Sequence, residues 1–317
     1  MGDVGKKSLL ELLSVPEQNI SGQNASEWKA TVLSAIRNGA DVSERGANGF
    51  TPLMFAALLN DDPEIVRALL DAGADVDAET HDGMTALMWA LEAETHDPGG
   101  DLRSFLERER RRVETAALIV ESGASVSAVC YSSRRMKWTP LFFAVMEPDR
   151  NAALISALIA AGAGVNARTT DDLTPLFFAA ALGSSSDVVH GLIRAGADVN
   201  AAGKQEGREG WTPLLYALCG PRKSLPIVEE LLKNGADANV AVGGGWTPLL
   251  FAAVIGDTPG YAHALLEAGA DVNTVDDEGN SALDCALARN CGNVARRLLR
   301  AGAKRQRPER GERQSRF

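Results

Sequence analysis

The octapeptide WTPLLFAA at 246–253 returns with small changes as WTPLLYAL at 211–218 and WTPLFFAV at 138–145. Nothing else in the chain constrains its fold so strongly. Alignment on the threonine gives Thr51, Thr85, Thr139, Thr174, Thr212 and Thr247, with Ser281 in the same place, at spacings of 34, 54, 35, 38, 35 and 34. A second marker, Gly-Ala, recurs at 39, 73, 123, 162, 196, 235, 269 and 302, usually followed by Asp. Two independent markers sharing one period define a repeat protein. A unit this small cannot bury an apolar face alone, so neighbours must stack.

Each unit reads as two short helices. Thr247 is placed as an N-cap whose hydroxyl accepts the orphan amides of the first turn, and Pro248 stands at N1, where a missing N–H costs nothing. Leu249, Ala252 and Ala253 form an inner face small enough for a neighbouring helix to approach. A second helix follows over YAHALLEAG, with apolar residues at helical spacing, and Gly269 ends it. The residues from ADVN to Gly279 are a turn-rich connection to the next unit.

The T-P-L-x-x-A pattern, the paired helices, the GADVN turn and a period near 33 resemble the ankyrin repeat. That resemblance implies an all-α, ankyrin-like solenoid of stacked helix–turn–helix–hairpin repeats. Six full repeats begin near Asn48, Asp82, Lys137, Asp172, Gly210 and Gly245, with capping units at both ends. The expected organisation is an N-terminal arm over 1–26, partly disordered, a repeat array over 27–303, and a basic disordered tail over 304–317. The last unit lacks the proline and carries Asp284 where others have Met, Phe or Leu, which fits an outer face with no neighbour. The family commonly has His at that fourth place. Here Met54, Met88, Phe142, Phe177, Leu215 and Leu250 stand there, so apolar packing must replace its hydrogen bonds.

Breaks in the period mark individuality. The unit beginning at Asp82 carries an insertion over about 93–112, read as an N-terminal extension of its second helix with Arg and Glu interleaved. The connections before Trp138 and Trp211 are longer by four residues and bear Arg134, Arg135, Lys204 and Arg208. In ankyrin-like proteins such hairpin tips rim the concave binding surface, so these four residues are candidate partner contacts. The tail holds six basic and two acidic residues.

Phe55, Trp89, Phe143, Phe178, Tyr216 and Phe251 recur immediately after the Met/Phe/Leu position, one in each full unit. The resemblance places this position on the inner helix, facing the concave side, where partly exposed rings would anchor a partner. The same residues are N4 of their helices, and Phe50, Met84, Trp138, Leu173, Trp211 and Trp246 occupy N′. Such pairs form hydrophobic staples that hold each hairpin on its helix. Both roles remain open for these rings.

A net charge of -10 repels nucleic acid and anionic membrane, leaving only the basic tail to contact either. No run of 18 apolar residues occurs, the opening lacks a signal-peptide core, and the four cysteines have no metal or redox spacing. No nucleophile elbow, phosphate loop or HExxH-type site occurs. The expectation is therefore a cytoplasmic, monomeric, non-enzymatic protein without cofactor or metal. It would bind another protein as adaptor, scaffold or inhibitor through the groove and hairpin tips. The alternative is a nucleic-acid or membrane-surface tether that uses the tail, with the solenoid as spacer.

Overall fold

The computed structural model describes residues 8–14, 23–60, 62–92, 102–132, 135–183 and 185–306. Arg134, His96, the first part of the insertion and the tail beyond Gln306 lie outside the described residues. Among those described are sixteen α-helices and one antiparallel hairpin, β1 (Cys130–Ser132) and β2 (Arg135–Trp138). They form two compact units, Met1–Ala144 with Ala153–Gly164, and Val145–Ala152 with Val165–Phe317.

The first unit carries α1 (Leu9–Leu13), α2 (Gln23–Arg37), α3 (Pro52–Phe55), α4 (Pro63–Asp71), α5 (Ala86–Glu92), α6 (Leu102–Glu121), α7 (Pro140–Val145) and α8 (Ala152–Ala160). Helix α3 runs on into a π turn over Ala56–Asn60. α6 spans 20 residues where α4 spans nine. Its exposed Arg110 pairs with Glu107 at 2.8 Å and Glu114 at 3.6 Å. Within this unit α3 packs on α5, and α2 and α6 flank α4.

The second unit carries α9 (Pro175–Leu182), α10 (Asp187–Arg194), α11 (Pro213–Cys219), α12 (Leu225–Lys233), α13 (Pro248–Val254), α14 (Pro259–Glu267), α15 (Ala282–Ala288) and α16 (Gly292–Arg300). First helices stack in the order α9, α11, α13, α15, and second helices in the order α10, α12, α14, α16. The leucine two residues beyond each cap, Leu176, Leu214, Leu249 and Leu283, is at most 2% exposed. Burial of that order is worth about 1.5–3 kcal/mol per side chain. The next position, where a family histidine was expected to be replaced by apolar packing, is also core. Phe177, Leu215 and Leu250 here, and Met54, Met88 and Phe142 in the first unit, are at most 1% exposed.

The helix ends follow the local chemistry with one exception. Gly269 takes φ +87, its N–H donates to the Leu266 carbonyl, and Ala270 N–H donates to that of Leu265, which closes α14. The exception is the threonine cap. Thr51 and Thr85 accept from Met54 N and Met88 N, each at 3.4 Å, but Thr174, Thr212 and Thr247 make no such bond. At Thr139 and Thr174 the third amide bonds instead to the threonine carbonyl, Phe142 N–H at 2.9 Å and Phe177 N–H at 3.0 Å. The hydroxyls of Thr139, Thr174 and Thr212 are left buried without a hydrogen-bond partner.

Asp284 also departs from expectation. It is 8% exposed, not a solvent-facing cap residue. Its carboxylate accepts from Ser281 N and Oγ, at 3.1 and 2.7 Å, and from Gln306 N at 3.0 Å, with Arg305 Nε 3.6 Å away. Buried charge is tolerated only when so supplied with donors.

A polar ladder joins repeats of the second unit along the turns that follow the second helices. Asn166, Asn200 and Asn239 each donate from Nδ2 to the carbonyl of the next repeat's Gly196, Gly235 or Gly269 at 2.8–3.0 Å. Each accepts at Oδ1 from the backbone of Asp198, Asp237 or Asp271 at 2.7–2.8 Å. Asn273 repeats the acceptor half with Lys304 N at 3.0 Å.

Candidate functional site

The hairpin tips share one geometry. The residue two before each cap is left-handed: Gly49, Gly83, Lys137, Asp172, Gly210, Gly245 and Gly279, with φ between 57 and 85. At Gly245 a side chain is excluded by contact as well, since a Cβ would lie 2.7 Å from Asp277 Oδ1 and 3.0 Å from its amide. Neighbouring tips are tied by backbone bonds, His81 N to Asn48 O and Tyr131 N to Asp82 O in the first unit. The second unit has Lys204 N to Asp171 O and Asp277 N to Gly244 O. The tips joined by these bonds are thus not independent loops.

Beneath these tips lie the recurrent rings. In the first unit Phe50 sits 5.0 Å from Phe55 of its own repeat and 4.9 Å from Trp89 of the next. In the second, Trp211 sits 5.5 Å from its own Tyr216 and 5.4 Å from the next repeat's Phe251. Trp246 and Phe251 are 5.1 Å apart. Phe50 and Trp211 are therefore wedges between two N4 rings, staples that also lock repeat to repeat. Trp138 contacts Phe143 edge-on at 5.4 Å, and Phe178 packs beside the buried cluster of Leu173, Phe177, Ala201 and Tyr216.

Of the six rings considered as partner anchors, Phe143 and Tyr216 are buried, at 3% and 8% exposure. Phe55, Trp89, Phe178 and Phe251 are half-buried. Burial raises the Tyr216 phenol above its ordinary pKa, with Arg208 opposing, and its hydroxyl donates to Gln205 Oε1 at 2.6 Å. Of the basic candidates, Arg208 lies over the Trp211 ring at 4.7 Å and Lys204 pairs with Asp172 at 2.7 Å. Arg135 belongs to β2, opposite Ser132.

Two adjoining clefts open on this face of the second unit. One, of about 360 Å³, is lined by Arg208, Glu209, Trp211, Val242, Trp246, Phe251 and Val254 among others. The other, of about 410 Å³, is bounded by Trp246, Val254, Cys285, Ala288, Arg289 and the acidic tip Asp276–Glu278. They share Trp246 and Val254. Neither Trp246, Cys285 nor the acidic tip is among the candidate contacts that the sequence offers. The available signal was Cys285 itself, the break in the ring series.

Among the described residues no group of three or more His, Cys, Asp or Glu is arranged to hold a metal ion, and Cys130, Cys219, Cys285 and Cys291 are unbridged. Burial pushes the Cys219 thiol up to about 11, which disfavours the thiolate a nucleophile needs. His190 on α10 bonds Glu230 on α12 at 2.6 Å, and His263 on α14 contacts Arg297 on α16, both on the outer layer. No described helix is long and apolar enough to cross a membrane.

Comparison with known families agrees with this architecture. The ankyrin repeats model matches in three copies, over residues 20–98, 141–241 and 221–308. The chain belongs to the ankyrin repeat family, whose repeats are generally protein–protein interaction modules and typically non-catalytic. Among curated relatives, 158 residues are 34% identical to neurogenic locus notch homolog protein 2 of Homo sapiens and of Mus musculus. The same length is 35% identical to notch homolog protein 1 of Mus musculus. These matches cover 50% of this chain and 6% of each relative.

Proposed function

We propose that this protein is a non-catalytic binding module, acting as adaptor, scaffold or inhibitor, and that the array over 27–303 grips a partner protein by its tips and inner-helix face. The observation that carries this reading is the ring ladder of the second unit, whose half-buried members Trp211, Trp246 and Phe251 line two adjoining clefts. Aromatic edges on a rigid scaffold give contact area at little cost in conformational entropy.

The test is capture of a partner from native extract, identified by mass spectrometry, with thermal melting alongside. One variant carries Lys204→Glu, Arg208→Glu and Asp277→Lys on the tips. Another carries Arg194→Glu, Glu229→Lys and Arg296→Glu on the second-helix layer. Loss of a specific protein in the tip variant alone, with its melting unchanged, supports the reading. Loss only in the second variant, or no specific capture by the wild type, overturns it.

A further inference from the structure

The ring ladder of the second unit ends one step short. Trp211 is wedged between Tyr216 at 5.5 Å and Phe251 at 5.4 Å. Trp246 has Phe251 at 5.1 Å on one side, but the next repeat offers Cys285 where every full repeat has a ring. The N′ residue of that repeat is Asn280, which spends its side chain on Asp276 Oδ2 at 2.9 Å. The backbone is nonetheless a normal member of the series: Ser281 caps α15 and Cys285 is its N4 residue. What the missing ring would have filled is the cleft of about 410 Å³ between Trp246, Val254, Cys285 and Ala288. Four carboxylates, Asp276, Asp277, Glu278 and Asp284, line it against the guanidinium of Arg289, with Arg305 Nε 3.6 Å from Asp284.

We infer that this cleft is a docking subsite for a partner peptide that inserts an aromatic or large aliphatic side chain into the vacant rung, with an adjacent arginine or lysine held by the Asp277–Glu278 tip. The apolar half of the argument is shape, since Trp246 and Val254 with Cys285 and Ala288 line a cleft at the place where every full repeat seats a ring. The charged half is complementarity, since the acidic rim favours cations and penalises an acidic neighbour. This inference rests on the proposed binding role and narrows it to one place and one chemistry.

The test is selection of a random dodecapeptide display library on the immobilised full chain, followed by affinity measurement with the enriched peptide synthesised. The expected consensus is an aromatic or leucine beside arginine or lysine. Cys285→Phe, which installs the missing ring, should weaken that peptide by roughly tenfold or more. Asp277→Asn with Glu278→Gln should weaken it and flatten its salt dependence. Melting is recorded for each variant. Ala288→Leu, at the same cleft, serves as the blocking variant if Cys285→Phe does not fold. An acidic consensus, or equal affinity for wild type and a folded blocking variant, overturns the subsite. Should the full chain bind no peptide until Arg307, Arg310, Arg313 and Arg316 are changed to Gln, the cleft belongs to this chain's own basic segment and the partner in trans is wrong. Partner capture from extract that survives Cys285→Phe but fails with the tip variant would sink the subsite alone and leave the broader reading standing.

Discussion

Replacing Asn200 by alanine should loosen one repeat junction and leave its neighbours intact. The side chain donates to Gly235 O at 2.9 Å and accepts from Asp237 N at 2.8 Å, so both bonds that cross the junction at this point are lost. A net contribution of about 0.5–1.5 kcal/mol per bond sets an upper range of about 1–3 kcal/mol. Asn200 is exposed, so water replaces part of what is lost, and the expected cost is about 1–2 kcal/mol. Asn200→Asp keeps the acceptor but sets a carboxylate against the Gly235 carbonyl, and should be no better than alanine. Urea unfolding measures the loss as a lower midpoint with unchanged slope. Amide exchange locates it: Asp237 N–H should exchange about fivefold faster or more, while Asp271 N–H, held by Asn239, is unchanged. The roles should reverse in Asn239→Ala. Stability within about 0.3 kcal/mol of wild type, below the worth of even one such bond, would refute the ladder as a source of cohesion. So would equal acceleration at both amides.

Other consequences follow from single groups. Thr174→Val should be neutral or stabilising by up to about 1 kcal/mol, because its buried hydroxyl has no partner, whereas Thr80→Val should cost about 1–3 kcal/mol. Thr80 Oγ1 donates to Asp82 at 2.6 Å and accepts from Met84 N at 3.0 Å; thermal melts of the two variants should move in opposite directions or differ clearly. Lys137→Gly should stabilise by roughly 0.5–1 kcal/mol, since φ of 61 is strained for lysine and its exposed side chain gives up little. A lower melting point would contradict this. Hydrogen bonding to His190 holds the Glu230 carboxyl below its usual range. Its contribution is therefore complete above about pH 4.3 and is lost as pH falls through the lowered folded value. His190→Gln should flatten the acid limb of stability below about pH 4.3, and an unchanged limb would remove the pair from the account.

Much of the fold was legible because the repeat states it seven times. Thr-Pro at the cap, glycine after the second helix and leucine two residues into each first helix need only local chemistry, and Leu176 or Gly269 behaves as its neighbours do. The hydroxyls of Thr139 and Thr174 depart from the cap because the competing acceptor is the threonine carbonyl, a choice of backbone geometry that Phe142 and Phe177 make without any mark in the sequence. Asp284 was misread for a tertiary reason: its donors, Gln306 N and Arg305, come from 22 and 21 positions away. The ring column was visible as a column. Its vertical order was not, because the wedge of Trp211 between Tyr216 and Phe251 depends on contacts across a junction. The cleft beside Cys285 exists only once that order is known.

The central claim is that a partner is held by the tips and inner-helix face of the array, with the ring ladder of the second unit among the contacts. Amide exchange of the protein alone and in complex with its captured partner tests this most directly. The account predicts added protection at 203–211, 242–246 and 276–281 and along α11, α13 and α15. Protection confined to α10, α12, α14 and α16, with these tips unchanged, would contradict it.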